Sequence, residues 1–294
     1  MNFLKITFKN KNEERVDGMA LIRFSEKIGT SFSDIMNATG NTVNIGLQGD
    51  DTFKVTASSD FQDWIMFLGG KGNDTYIVSN NSAITIGETG NSSNDKIIAT
   101  GVGLKRKTSL VATIDGGRHL IFGDTASGQQ VVILDWKQPE NRIETIQLSD
   151  GTYSYNYISN FITNAQYQGL VPDLSWESSG LLEGRYSSAD VNEAIGYYKE
   201  RSSDLEKILI GGAKNDILTG DERENIINGG AGNDTLTGGA GNDTLSGGSG
   251  KDKYIIKTGS GHDVITADAS NVEDTLVLSD IKTVDDFKTL SSIQ

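Results

Sequence analysis

Carboxylates recur at a fixed interval in the C-terminal third of the chain. Asp216, Asn225, Asp234, Asp243 and Asp252 each occupy the sixth position of consecutive nonapeptides that begin at Gly211, Gly220, Gly229, Gly238 and Gly247. The segments read GGAKNDILT, GDERENIIN, GGAGNDTLT, GGAGNDTLS and GGSGKDKYI, and after a short insertion TGSGHDVIT supplies Asp263. Gly230, Gly232, Gly239, Gly241, Gly248 and Gly250 stand where a turn with positive φ would bare its carbonyl oxygens. Carboxylates beside such carbonyls form an all-oxygen donor set, which suits a hard divalent cation with many ligands, Ca²⁺ above all.

Positioning these donors requires a specific winding. Six residues make a turn and three make a short strand with one apolar side chain turned inward: Leu218, Ile227, Leu236, Leu245 or Tyr254. Two nonapeptides then form one coil with two strands and two turns. Asp216, Asp234 and Asp252 share one edge of such a roll, and Asn225, Asp243 and Asp263 share the other. Successive carboxylates on an edge lie about 4.8 Å apart along the sheet. Each pair repels by roughly 1 kcal/mol in water, and by about 3–4 kcal/mol at an effective dielectric near 20. One inward Leu contributes only about 1.5–3 kcal/mol, whereas ordering a residue costs about 1–2 kcal/mol. The bare roll should not close, and a cation between turns removes the obstacle. Asn225 offers no charge and Arg223 replaces a turn glycine, so that rung is expected to be weak.

The nonapeptide occurs again as GGKGNDTYI at residues 69–77, with Asp74 in the sixth position, and in degraded form as GLQGDDTFK at residues 46–54, with Asp51. Ser33-Asp34-Ile35-Met36 reads as a further remnant without metal, and residues 58–68, with Trp64, break the phase. The two blocks align, so that Asp95 corresponds to Asp274 and Ile97 to Leu276. After the first block, residues 112–158 alternate as strands, with turns at Asp115-Gly116-Gly117, Ser127-Gly128 and Ser149-Asp150-Gly151. Tyr153, Tyr155, Tyr157, Tyr197 and Tyr198 suggest carbohydrate stacking as one reading, and alternating tyrosines on a strand more often serve edge packing, the preferred reading. A helix capped by Ser188 or Asp190 is expected through about Asp204.

The GGxGxDxUx nonapeptides resemble those of the RTX (repeats-in-toxin) family, and Asp135-Trp136 with Asp150-Gly151 resembles the β-rich flank of RTX haemolysins. The resemblance implies a Ca²⁺-dependent parallel β-roll. It also implies export by a type I secretion system and an extracellular location. The expected fold class is all-β: parallel roll blocks, an antiparallel flank and a short helical linker. The expected organisation is a degenerate roll at 1–80, a flank at 81–162, a linker with a helix at 163–206, an intact roll at 207–278 and a truncated tail at 279–294.

Composition is consistent with this reading and excludes others. Of 294 residues, 36% are hydrophobic, 35 are Gly and 2 are Pro, so a large apolar core is not available and the glycines belong to ordered turns. A net charge of −14 argues against nucleic acid and anionic membrane surfaces as partners. With 0 Cys there are no disulfides, thiolate metal sites or thiol nucleophiles. No apolar run is long enough for a transmembrane helix, and residues 1–18 do not form a cleavable signal peptide. His119 and His262 are the 2 histidines, neither in an HExxH pattern, and no GxSxG elbow occurs. GSGKD at residues 248–252 lacks the spacing and the Ser/Thr of a phosphate loop. Together with the resemblance, which implies a secreted bacterial protein, the expected function is non-catalytic calcium binding. The alternatives are an adhesin or surface-layer module with a host-surface or glycan ligand, or the C-terminal part of a pore-forming toxin.

Overall fold

Short segments with one or two apolar residues between glycine turns are too brief for helices, and the chain winds them into two parallel rolls. A computed structural model describes residues 25–39, 42–55, 65–88, 92–167, 171–176, 188–205, 207–266 and 273–280. The residue Trp64 and the tail beyond Asp280 fall outside that set.

In the first roll, Ser25–Ile28, Thr42–Ile45, Ile65–Leu68 and Ala83–Gly87 pair in parallel in one sheet. Ile35–Ala38, Thr52–Val55, Thr75–Ile77 and Lys96–Ala99 pair in parallel in the facing sheet. Aromatic rings fill the space between them. Phe53 stacks on Tyr76 with centroids 5.1 Å apart and planes at 11°, and Phe67 lies 5.1 Å from Phe53. All three rings are fully buried.

The roll does not stop near residue 80. Gln129–Ile133 pairs in parallel with Ala83–Gly87, and Thr145–Leu148 in parallel with Lys96–Ala99. These two strands add a further coil. The flank expected to be antiparallel is so only in part: Ser109–Ile114, His119–Asp124 and Gln129–Ile133 form antiparallel pairs, and Gly151–Ser154 folds back on Thr145–Leu148. Alternation along a sequence reports which faces a strand presents, not the direction of its neighbour. The turn at Asp115-Gly116-Gly117 does form, with φ of 59°, 71° and 82°.

Two helices cover this roll. Tyr155–Tyr167 is helical where alternating tyrosines suggested a strand, and only Tyr153 lies in Gly151–Ser154. The competing signal is Ile158, Ile162 and Ala165, which recur at helical spacing and are buried against the core between the sheets. Ser188–Leu205 buries Val191, Ala194 and Ile195 with Val43, Ile45, Met66 and Leu68, on the outer face of the first sheet. Both faces of that sheet are thereby covered, and every residue of Thr42–Ile45 and Ile65–Leu68 is buried. In the facing sheet, by contrast, Thr52–Val55 and Lys96–Ala99 alternate buried and part-exposed residues.

The second roll has Ile208–Ile210, Ile226–Ala231, Thr244–Ser249 and Val264–Thr266 in one parallel sheet, and Ile217–Thr219, Thr235–Thr237, Lys253–Ile256 and Thr275–Leu278 in the other. Its core is a single column of Leu209, Leu218, Ile227, Leu236, Leu245 and Tyr254, with Ile265 partly buried against it. The rolls meet at their first coils. The Ser31 N–H donates to the Ile210 carbonyl at 2.7 Å, and the Ile210 N–H donates to Ser31 Oγ at 3.0 Å.

Candidate metal centre: the carboxylate ladders

The sixth-position aspartates stack as the nonapeptide spacing requires. The Asp216 N–H donates to Asp234 Oδ1 at 2.8 Å, the Asp234 N–H to Asp252 Oδ1 at 2.8 Å, and the Asp252 N–H to Asp274 Oδ1 at 2.9 Å. On the opposite edge, the Asn225 N–H donates to Asp243 Oδ1 at 2.8 Å and the Asp243 N–H to Asp263 Oδ1 at 3.1 Å. Each rung thus uses one carboxylate oxygen to hold the previous coil. The other oxygen is left over: Asp234, Asp243, Asp252 and Asp263 each have a buried Oδ2 without a hydrogen-bond partner.

These orphaned atoms face carbonyl groups. The space beside the Gly229 Cα is bounded by Asp234 Oδ2 and by the Gly247 carbonyl oxygen, which a Cβ there would meet at 2.6 Å. Gly238 and Gly247 border Asp243 Oδ2 and Asp252 Oδ2. The glycines expected to bare carbonyls all have positive φ: Gly230 97°, Gly232 129°, Gly239 108°, Gly241 115°, Gly248 89° and Gly250 143°. At Gly250 a side chain would be strained by its φ and would also collide with the carbonyl oxygen of Gly232 in the coil below. Buried anionic oxygens without partners, next to carbonyls, are a donor set for a hard cation. Asp216, Asp234, Asp252, Asp243 and Asp263 could hold Ca²⁺ with these carbonyls, the ion supplying the positive charge that the stacked oxygens lack.

Asn225 completes its edge as an uncharged rung. Its Oδ1 accepts from the Asp221 N–H at 2.9 Å, and Arg223 in the same turn pairs with Asp221 at 2.7 Å. That turn already contains a cation of its own.

The first roll carries a ladder along one edge. The Asp34 N–H donates to Asp51 Oδ1 at 2.7 Å, the Asp51 N–H to Asp74 Oδ1 at 2.8 Å, the Asp74 N–H to Asp95 Oδ1 at 2.8 Å, and the Asp95 N–H to Glu144 Oε2 at 2.8 Å. Asp51 and Asp74 again have a buried, unpartnered Oδ2. Sequence reading found Asp51 and Asp74 and left Asp34, Asp95, Asp274 and Glu144 out of the metal set. A weaker signal marks them all: an acidic residue two positions before an apolar one, as in Asp34-Ile35-Met36, Asp95-Lys96-Ile97, Glu144-Thr145-Ile146 and Asp274-Thr275-Leu276.

Burial and neighbouring carboxylates raise the proton affinity of these groups. Loss of hydration, with the charges of Asp74 and Asp34, pushes Asp51 up to about 8 against the opposing Asp34 N–H bond. Loss of hydration pushes Asp74 up to about 7, with Asp95 adding to the effect. The same cause takes Asp95 and Asp243 to about 6 and raises Asp234 and Asp252.

Comparison with known proteins agrees with the repeat geometry. Residues 208–222 and 219–254 match the family model of the RTX calcium-binding nonapeptide repeat (4 copies). No curated protein sequence matches the chain. Among solved structures the chain is similar to the extracellular lipase LipA from Serratia marcescens, at 17% identity and a TM-score of 0.24. That similarity covers 87% of this chain and 32% of the lipase chain, so the chain spans about a third of the length of that relative. Residues 208–254 of the second roll are accordingly RTX calcium-binding nonapeptide repeats.

Proposed function

We propose that the chain is a non-catalytic, calcium-responsive folding module of a secreted bacterial protein. In the low-Ca²⁺ cytosol residues 207–278 remain unfolded and can thread a type I exporter. Outside the cell Ca²⁺ fills the turns and closes the roll. Asp216, Asp234 and Asp252 hold the ions of one edge and Asp243 with Asp263 those of the other, while the Asn225 rung contributes least. Asp74 and Asp51 play the same part in the first roll.

The observation that carries this reading is the set of buried, unpartnered carboxylate oxygens on Asp234, Asp243, Asp252 and Asp263. An unpaired buried charge costs several kcal/mol, and a divalent ion shared between rungs offsets it without adding a residue. The test is a Ca²⁺ titration of the chelator-treated full chain followed by far-UV circular dichroism. Strand signal should rise and saturate with Ca²⁺, and Mg²⁺ should substitute poorly because it keeps its water shell. A spectrum unchanged by Ca²⁺ would contradict the reading.

A further inference from the structure

One acidic cluster departs from the nonapeptide plan. Residues 87–95 read GETGNSSND, with Asp95 as the rung and Glu88 in register with Gly69, the first glycine of the preceding repeat. Asp74, Glu88 and Asp95 each offer a carboxylate oxygen within 4.8 Å of the others, and all three residues have 0% exposure. A main-chain carbonyl position of the repeat has thus acquired a third carboxylate.

The local bonding directs these oxygens toward one space. Asp74 Oδ1 accepts from the Asp51 N–H at 2.8 Å, and Asp74 Oδ2 has no hydrogen-bond partner although it is fully buried. Asp95 Oδ1 accepts from the Asp74 N–H at 2.8 Å, and its Oδ2 accepts from the Ser92 hydroxyl. The Tyr76 hydroxyl donates to Glu88 Oε1. Gly69 borders the same space, because a Cβ there would collide with Tyr76 Oη, Asp74 Oδ2 and Glu88 Oε1. The Tyr76 ring that carries this hydroxyl stacks on Phe53 in the core.

We propose that Asp74, Glu88 and Asp95 form an enclosed three-carboxylate centre that retains a Ca²⁺ ion when the second roll has released its own. It rests on the reading of the chain as a calcium protein and adds a site that the repeat does not encode. Two hydroxyls and three carboxylates are hard oxygen donors, with no nitrogen or sulfur donor among them, which favours Ca²⁺ over Zn²⁺ or Cu²⁺. A larger number of charged ligands raises Ca²⁺ affinity. Burial behind an aromatic core means that the ion leaves only when the coil opens, so exchange is slow.

The experiment uses the full chain, loaded with Ca²⁺ and passed through excess EGTA at neutral pH. Calcium that stays with the protein is then counted by elemental mass spectrometry. The wild-type chain should retain a single ion per molecule, and Glu88→Gln should retain none while keeping the wild-type near-UV spectrum of the Phe53–Tyr76 core. Retention of no ion by the wild type, or equal retention by Glu88→Gln, would overturn the proposal. If Glu88→Gln does not fold, Tyr76→Phe replaces it: the ring stack survives, the hydroxyl is lost, and the retained ion should exchange faster, whereas an unchanged exchange rate would overturn the proposal. Re-adding Ca²⁺ to the EGTA-treated wild type in a calorimeter separates the two readings. Heat that is lowered by Asp234→Ala reports the second roll, so its absence would count against the calcium reading of the repeats and not against the Glu88 centre.

Discussion

Behind the ladder of the first roll stand Phe53, Phe67 and Tyr76, with a helix packed on the outer face of one sheet. Behind the two ladders of the second roll stands one column of Leu, Ile and a single Tyr, and the cluster that holds the helix reaches this roll at Ile208 and Ile210 of its first strand. The rungs themselves are alike: an N–H from one coil on the Oδ1 of the next. What differs is the regularity of the path between rungs. In the second roll the rungs follow one another at 18, 18 and 22 residues on one edge and at 18 and 20 on the other. In the first roll the intervals are 17, 23, 21 and 49 residues. An aromatic core tolerates loops of any length, because the stability comes from apolar area and not from identical turns. A thin core has no such reserve, so each turn must present the same cation donors. Regularity of the repeat is thus the mark of dependence on the metal.

The comparison can be sharpened first by pH. Burial pushes Asp51 in the first roll up to about 8 and Asp243 in the second up to about 6. Each folded-state value lies above the unfolded one, so the folded chain holds extra protons. The stabilisation is complete below the unfolded value and is lost as pH rises through the folded one. In chelator, thermal stability should fall between pH 5 and pH 8, by up to about 1.4 kcal/mol per pH unit for each group titrating. Toward pH 8 the loss is carried by the first roll, where Asp51 has the highest value, because the second roll is unfolded in chelator at neutral pH. Saturating Ca²⁺ should flatten the slope, since the ion replaces the protons, and a slope that is the same with and without Ca²⁺ would remove the ladder from the account.

Substitution in the core is the next strongest probe. Phe53→Ala empties the centre of the first roll and should cost about 3–5 kcal/mol. It should leave Ca²⁺ binding by the second roll unchanged in calorimetry, because the two cores share no residue. A matching loss of Ca²⁺ affinity in the second roll would show that the rolls fold as one unit.

The smallest effect separates neighbouring rungs. Asp234 accepts from Asp216 and donates to Asp252, whereas Asp216 accepts from the Gly212 N–H of its own turn at 2.6 Å. Asp234→Ala therefore alters two inter-coil sites and Asp216→Ala one. A charged hydrogen bond is worth about 1.5–3 kcal/mol, so Asp234→Ala should weaken Ca²⁺ binding by roughly tenfold more than Asp216→Ala. Equal losses would argue against sites shared between coils.

Much of the second roll could be read directly from residues 211–255, because strand, turn and donor all repeat in one phase there. The first roll was harder to read for a physical reason. Its loops vary in length, so a search for a fixed period finds Asp51 and Asp74 and passes over Asp34, Asp95 and Glu144. The rule that joins them is local: an acidic residue whose second neighbour is turned inward, as Phe53 follows Asp51 and Ile146 follows Glu144. Glu88 carried no signal at all, because its role comes from the approach of coils that are separated by a loop. The parallel pairing of Gln129–Ile133 with Ala83–Gly87 is equally a long-range property, decided by the fit of the hairpin over the roll end. For Tyr155–Tyr167, two periods compete in one stretch, and the apolar residues prevailed over the tyrosines.

Hydrogen exchange of the full chain, in chelator and in saturating Ca²⁺ at pH 7, tests most directly the claim that the metal replaces a core in one roll and supplements it in the other. Amides of Thr42–Ile45 and Ile65–Leu68 should be protected in both conditions. Those of Thr235–Thr237, Thr244–Ser249 and Lys253–Ile256 should be protected in Ca²⁺ and exchange freely in chelator. Protection of the second roll in chelator equal to that in Ca²⁺ would contradict the account.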